Sequence, residues 1–170
     1  MIDFVKRILT GQFEAALCML NECVRMCPES HWEGRVANGT FRQIAYHTLF
    51  YVDLYLSPNE GAFTLRDFHR RGGDERSPAL SPGLAKDDTL AYSAVCRQKA
   101  VESIATETRE SLEGPSGFSW RPISRGELHI YTLRHVQHHA GGMSSCLRRI
   151  EGALPDMKAL PWVATGWAGE

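Results

Sequence analysis

Leu133-Arg134-His135-Val136-Gln137-His138-His139-Ala140-Gly141-Gly142 places three histidines within five residues of a stretch that otherwise has helical periodicity. His135 and His139 stand four apart, so on a helix they share a face, with Cβ atoms about 5–6 Å apart. That spacing lets two imidazoles reach one metal ion, each at roughly 2.0–2.1 Å for zinc or a similar cation. Two ligands hold a metal poorly, and a third has to come from elsewhere in the chain.

Upstream, Ser124-Arg125-Gly126-Glu127 matches a capping box, in which the Ser hydroxyl accepts an amide proton three residues on while Glu127 reaches back. The helix it opens runs to about Glu151. Leu128, Thr132, Val136, Met143, Cys146, Leu147 and Ile150 define its buried side. Relative to their centre, His139 falls about 45° away, His135 about 85° and His138 roughly 145°. Rotation therefore favours His139 over His138, although His135 and His138 also have a ligating i, i+3 spacing. His129 projects inward too, but lies farther along the axis from His139. Gly141-Gly142 costs about 1 kcal/mol per Gly relative to Ala and predicts close packing or a kink. Cys146 lies roughly 10 Å along the axis from His139, too far to be a fourth ligand.

Three further helices precede this one. From Asp3 to Cys27, the positions Phe13, Ala16, Leu17, Leu20, Val24 and Cys27 recur at threes and fours, and Pro28 stops the pattern. Glu29 to Gly39 reads as a loop with Trp32 as its anchor on the core. Thr40-Phe41-Arg42-Gln43 is a second capping-box match, opening a helix from Phe41 to about Ser57 before Pro58. Its stripe is Ile44, His47, Tyr51 and Leu54. A lone histidine on such a stripe is ordinarily a hydrogen-bonded core residue; beside the HxxxH pair, His47 becomes the candidate third ligand.

Asn59 to Lys86 is a long connection rich in Gly, Pro and Ser, with Arg70-Arg71-Gly72-Gly73 at its middle. Its length suits a crossover rather than a short link between antiparallel neighbours. The two arginines suit a solvated loop, with contact to an anionic substrate as the alternative. Asp87-Asp88 opens a third helix from about Thr89 to Leu112, with a candidate stripe of Leu90, Ala94, Val101, Ile104 and Ala105. Glu113-Gly114-Pro115-Ser116-Gly117 breaks it, and Phe118-Ser119-Trp120 is a candidate short extended piece. Trp162 and Trp167, beyond Pro155, are expected to dock on the helices. Four long helices without a convincing strand predict an all-α domain spanning residues 1–170: a four-helix bundle with a long crossover connection.

Bulk properties narrow the function. At 170 residues the chain suits one domain, and a formal net charge of -1 offers no global case for nucleic acid or an anionic membrane. No run of eighteen apolar residues occurs, so no membrane span is expected and the cytoplasm is the default compartment. The five cysteines, at 18, 23, 27, 96 and 146, are odd in number and lack CxxC spacing, which predicts reduced, mostly buried thiols. Cys23 and Cys27 also have a metal-sharing spacing, but no second Cys or His pair accompanies them.

One histidine from the second helix and two from the fourth can meet inside a bundle, and three imidazoles leave a coordination position for water or substrate. These residues resemble the DinB-like family of YfiT-like metal-dependent enzymes. The resemblance rests on Phe41-Arg42-Gln43-Ile44-Ala45-Tyr46-His47 opening the second helix and His135-Val136-Gln137-His138-His139-Ala140-Gly141 in the fourth. It implies a four-helix bundle with a crossover, often dimeric. It also implies that His47, His135 and His139 hold nickel, zinc, iron or manganese. Characterised relatives include thiol-dependent S-transferases and a mycothiol-dependent isomerase. The chain departs from the family's usual Gly-Gln after the last ligand, carrying Gly141-Gly142 instead.

The resulting expectation is a metal-dependent transferase or hydrolase that activates a low-molecular-weight thiol against a small electrophilic molecule, with a homodimer implied by the same resemblance. Glu22, Asp53 and Glu127 are the carboxylates available to support the ligands. The alternative class is a non-catalytic metal or small-ligand binding protein of a stress response; a third is a scaffold whose histidines are structural. Thiol counting on protein denatured without reductant is expected to return five free thiols, and four found already paired would overturn the reduced-core reading.

Overall fold

The computed structural model describes residues 1–36, 38–69, 84–150 and 162–168. It is mostly helical, with α1 (Ile2–Met26), α2 (Phe41–Tyr55), α3 (Lys86–Thr106), α4 (Arg109–Glu113) and α5 (Arg125–Arg149). A two-residue hairpin, β1 (Arg35–Val36) with β2 (Gly39–Thr40), and a 3-10 turn at Glu29–His31 occupy the segment read as a loop. None of the described helices is long and apolar enough to cross a membrane.

Three helix starts follow from side-chain caps. Thr40 with Gln43, Thr108 with Ser111 and Ser124 with Glu127 each form a reciprocal capping box, satisfying amide groups that have no partner inside the helix. α1 ends where Cys27 turns extended ahead of Pro28. Trp32 is buried and donates its indole N–H to the Leu84 carbonyl at 3.1 Å, anchoring the segment before α2 as expected.

Each long helix packs against two others: α1 against α3 and α5, and α2 against α3 and α5. Side-chain pairs give the directions. Phe13 meets His129, Gln137 donates to Met19, and Cys23 donates to Ala140, so α1 and α5 run parallel. Tyr46 meets Tyr92, Cys96 donates to Leu49, Lys99 pairs with Asp53 and Ser103 donates to Leu56, so α2 and α3 are also parallel. Lys6 on Ala105 with Arg97 on Glu14, and Tyr55 on Tyr131 with His47 on His139, make the two remaining pairings antiparallel. Parallel neighbours cannot be joined by a tight turn. The chain between Leu56 and Ala85 therefore has to return the length of α2, about 22 Å for fifteen residues. Within it, a 3-10 turn at Glu60–Ala62 is capped by Asn59. Arg70, Arg71, Gly72 and Gly73 lie outside the described residues, as does Glu151, where α5 was expected to end.

α2 is the central helix, with eleven of its fifteen residues buried. Asp53, 1 % exposed, binds Arg66 at 2.8 Å, Lys99 at 2.6 Å and the Tyr92 hydroxyl at 3.1 Å. Burial pushes its carboxyl up, but the hydrogen bonds and charges of Arg66 and Lys99 outweigh that and hold it below the usual carboxylate range.

One turn farther along, at the C-terminus of α2, Arg125 is 5 % exposed and uses its full donor fork. Nε binds Glu107 at 2.9 Å; Nη1 binds the carbonyls of Tyr55 at 2.8 Å and Ser57 at 2.9 Å; Nη2 binds the Leu56 carbonyl at 3.2 Å and Ser103 Oγ at 3.4 Å. The open carbonyls at the C-terminus of α2 are thus capped by a cation, which the helix dipole also favours. His129 Nε2 donates to the same Glu107 carboxylate at 2.9 Å. Burial would raise the Glu107 pKa, yet hydrogen bonds from His129, Ser111 and Arg125 bring it down to about 2.

Several expectations are corrected. The helix expected from Thr89 to Leu112 is two, because Glu107 turns extended to place its carboxylate on Arg125 and His129, and Thr108 restarts the helix as α4. Of the expected α3 stripe, Ile104 is buried and Leu90 packs partly buried against the core, but Ala94 and Ala105 do not. The buried face is Thr89, Tyr92, Ser93, Cys96, Ala100 and Ile104; Thr89 hydrogen-bonds to Ala85 and Tyr92 to Asp53 of α2, while Ala94 and Ala105 face solvent. Gly141 and Gly142 mark neither close packing nor a break: both are exposed inside continuous α5, and an added Cβ would meet nothing within 4 Å. Phe118-Ser119-Trp120 forms a turn with Phe118 buried. Trp167 docks, with Arg97 over its ring at 4.6 Å, but Trp162 is 82 % exposed. Gly166 N–H on the Gly11 carbonyl and Gln12 on the Ala164 carbonyl fix the segment so that only Trp167 reaches α3.

All five cysteines are free. Truncating Arg125 would leave buried Glu107 without its guanidinium and the carbonyls of Tyr55 and Ser57 without this donor. Arg125→Ala is expected to lose about 3–5 kcal/mol in urea unfolding, with Arg125→Lys losing less; a loss under about 1 kcal/mol would contradict the role given to this residue.

Candidate metal centre

His47 stands two turns into α2, where the Thr40 cap sets the start of the helix, and His135 and His139 stand on consecutive turns of α5. Because α2 and α5 are antiparallel, the three rings face one another across the interface. His135 Nε2 lies 3.3 Å from His47 Nε2 and 3.1 Å from His139 Nε2. The ring centroids of His47 and His139 are 5.1 Å apart. One nitrogen from each residue falls within 4.8 Å of both others, the sole such group of three His, Cys, Asp or Glu residues among those described.

All three rings are half-buried, so the cluster sits at the edge of the core with one side toward solvent. His138 is exposed, as the rotational reading of α5 required. His129 is buried but belongs to the Glu107 and Arg125 clamp. Tyr51, one turn after His47, sets its ring edge-on to His47 at 4.9 Å and to His135 at 5.7 Å, restricting both imidazoles.

The donor chemistry fits a divalent transition metal. Three nitrogens at about 2.0–2.1 Å from one ion lie roughly 2.9–3.4 Å apart, the lower figure for octahedral and the upper for tetrahedral angles; the 3.1 and 3.3 Å separations fall in that range. Hydrogen bonding alone serves these rings poorly. A neutral His135 with its proton on Nε2 can donate to one neighbour but not both, and the Nδ1 atoms of His47 and His135 are buried without a hydrogen-bond partner. With the protons on Nδ1, three lone pairs point at one spot, and a cation there would satisfy all three.

Burial and mutual repulsion keep the rings neutral. Burial lowers the His135 pKa to about 3, reinforced by His139, His47, His138 and Arg121, and lowers His139 to about 4, reinforced by His47 and His138. Burial also lowers His47. Neutral imidazole is the metal-binding form.

The carboxylates expected to support the ligands are engaged elsewhere. Glu22 pairs with Arg25, Asp53 with Arg66 and Lys99, and Glu127 caps α5 through Ser124. Cys146 donates toward the Arg35 carbonyl at 3.8 Å, and Cys23 and Cys27 bond to separate carbonyls, with burial pushing both thiols up to about 12. Sequence reasoning did not single out Arg121, which lies in the turn before α5, because a lone arginine among Gly, Pro and Ser carries no periodic or spacing signal. Comparison with family models, curated proteins and solved structures gives no significant match to this chain.

The histidine shifts carry a pH dependence of defined sign. The folded-state pKa values lie below the unfolded value of 6.5, so the unfolded chain binds more protons and stability rises with pH. In metal-free protein the full contribution is expected above pH about 6.5, with progressive loss as pH falls toward about 4. Urea midpoints between pH 7 and 4.5 should show a shallower slope in a His47→Ala, His135→Ala double variant; identical slopes would refute the assignment.

Proposed function

We propose that this chain is a DinB-like metalloprotein, a four-helix bundle with a crossover between α2 and α3. In it, His47, His135 and His139 hold one divalent transition metal (nickel, zinc, iron or manganese), and the site acts on a small electrophilic molecule as a thiol-dependent S-transferase or hydrolase. The observation that carries the proposal is the convergence of three neutral imidazole nitrogens, 3.1 and 3.3 Å apart, across the α2–α5 interface. The parallel placement of α2 and α3 and the resemblance of the segments around His47 and His135 support the fold assignment. Homodimerisation belongs to the same proposal.

Three protein ligands suit a site that takes a substrate atom rather than a closed structural one. When bound, such a metal supplies Lewis-acid chemistry: it polarises a carbonyl and favours ionisation of a thiol or water that reaches it. The chain's own residues hold and orient. The imidazoles offer neutral donors at neutral pH, and Tyr51 fixes the planes of His47 and His135. The half-buried edge leaves an approach for a small molecule.

Protein purified without a His-tag is expected to carry about one metal per protomer. The content should fall to background in His47→Ala, His135→Ala and in His139→Ala, and persist in His138→Ala. Equal content in wild type and the double variant would end the proposal, as would loss in His138→Ala with retention in His139→Ala. A panel of electrophiles with low-molecular-weight thiols then tests the reaction. Metal without turnover across the panel would favour a metal or small-ligand binding protein over an enzyme.

A further inference from the structure

Arg121 has no carboxylate partner among the described residues, and its guanidinium lies on Tyr131, one turn of α5 before His135. Its backbone is fixed by the turn that precedes α5. Gly117 has φ +86, and a Cβ there would lie 2.2 Å from the Pro58 carbonyl oxygen, so the turn depends on glycine. Ser116 Oγ donates to the Arg121 carbonyl at 2.6 Å, and Arg121 N–H donates to the Phe118 carbonyl at 2.9 Å.

The side chain is half-buried, with the guanidinium over the Tyr131 ring at 4.8 Å and Nη2 donating to the Tyr131 hydroxyl at 2.9 Å. The Tyr55 hydroxyl is its other hydrogen-bonding neighbour, so both of its polar contacts are to neutral phenols. Nε is buried without a partner, and no described carboxylate lies within ion-pair distance. The contrast with Arg125, four residues on, is direct: there every donor has an acceptor.

Arg121 also lies close to the histidines. Tyr131 precedes His135 by one turn of α5, about 6 Å along the axis. A row of rings leads from it: Tyr131 to Tyr55 at 6.0 Å, Tyr55 to Tyr51 at 5.4 Å and Tyr51 to His135 at 5.7 Å.

We infer that Arg121 anchors a carboxylate on the molecule that occupies the histidine site, making that substrate an anionic one. The inference rests on the metal reading given above: a dication on three neutral imidazoles beside a guanidinium has no described carboxylate to balance it. A ligand carboxylate supplies that balance and matches the planar donor fork of arginine, with the Tyr131 hydroxyl holding the guanidinium in place.

The test uses cobalt(II)-loaded protein and two probes that differ in one group, 3-mercaptopropionate and 3-mercaptopropionamide, read by thiolate-to-cobalt absorption. Wild type is expected to bind the acid about tenfold or more tighter than the amide, as a charge-assisted hydrogen bond gives. Arg121→Gln should bring the ratio near one at unchanged cobalt content, and Arg121→Lys should retain part of it. A ratio near one in wild type, or an unchanged ratio in Arg121→Gln, would overturn the inference. If cobalt does not load, the metal reading has failed. Calorimetric titration of metal-free protein with propionate and propionamide then decides separately: an Arg121-dependent preference for the acid supports the carboxylate anchor, and no preference overturns it.

Discussion

The guanidinium of Arg125 joins three segments at one buried point. Its five N–H groups are distributed over Glu107, the α2 carbonyls of Tyr55, Leu56 and Ser57, and Ser103 of α3. Because the residue sits in the first turn of α5, it sets the height of α5 against the C-terminus of α2. Eight residues back along α2 lies His47, and ten residues forward along α5 lies His135, distances of about 12 and 15 Å on the two axes. A slip of one residue between these helices would move the facing imidazoles by about 1.5 Å, which would disrupt nitrogens now 3.1 and 3.3 Å apart. The precision of the histidine cluster therefore originates at the far end of the same interface, in hydrogen bonds that touch no ligand.

What could be read from sequence was whatever is encoded locally. The capping boxes at Thr40 and Ser124 are contained in four residues each, and both helices begin where those signatures placed them. The α1 stripe is entirely apolar and was legible for the same reason. The histidine pair was legible because helix geometry alone decides which of His138 and His139 turns inward, and His47 because its helix had a defined start. The α3 face was not, since Thr89 and Tyr92 are buried through hydrogen bonds to Ala85 and Asp53 that periodicity does not register. The break at Glu107 has its cause in Arg125 and His129, well downstream. Arg121 gains its meaning only when Tyr131 and the histidines are seen around it.

The distribution of charge separates structural from functional cations. Arg66 and Lys99 share Asp53, Arg125 binds Glu107, and Arg97 pairs with Glu14, so each of these interface cations has a carboxylate partner. The histidine face is different: three neutral imidazoles and an arginine on an aromatic ring, with the expected carboxylates bound elsewhere. An imbalance of that kind is costly in an interior and tolerable at an edge open to solvent. The half-burial of the three rings is therefore consistent with their composition.

The order of the helices also bears on how the chain is made. α1 packs on α3 and α5, not on α2, the helix that follows it. Its apolar face leaves the ribosome well before either partner and stays uncovered while about a hundred further residues are added, on the order of ten seconds at ordinary elongation rates. Throughout that time the nascent chain presents Phe13, Leu17, Leu20 and Val24 to whatever surrounds it. The histidine cluster, which needs α5, can close only after α1 and α3 have both been made. A helper that shields α1 in the interim would act before the histidine cluster exists at all.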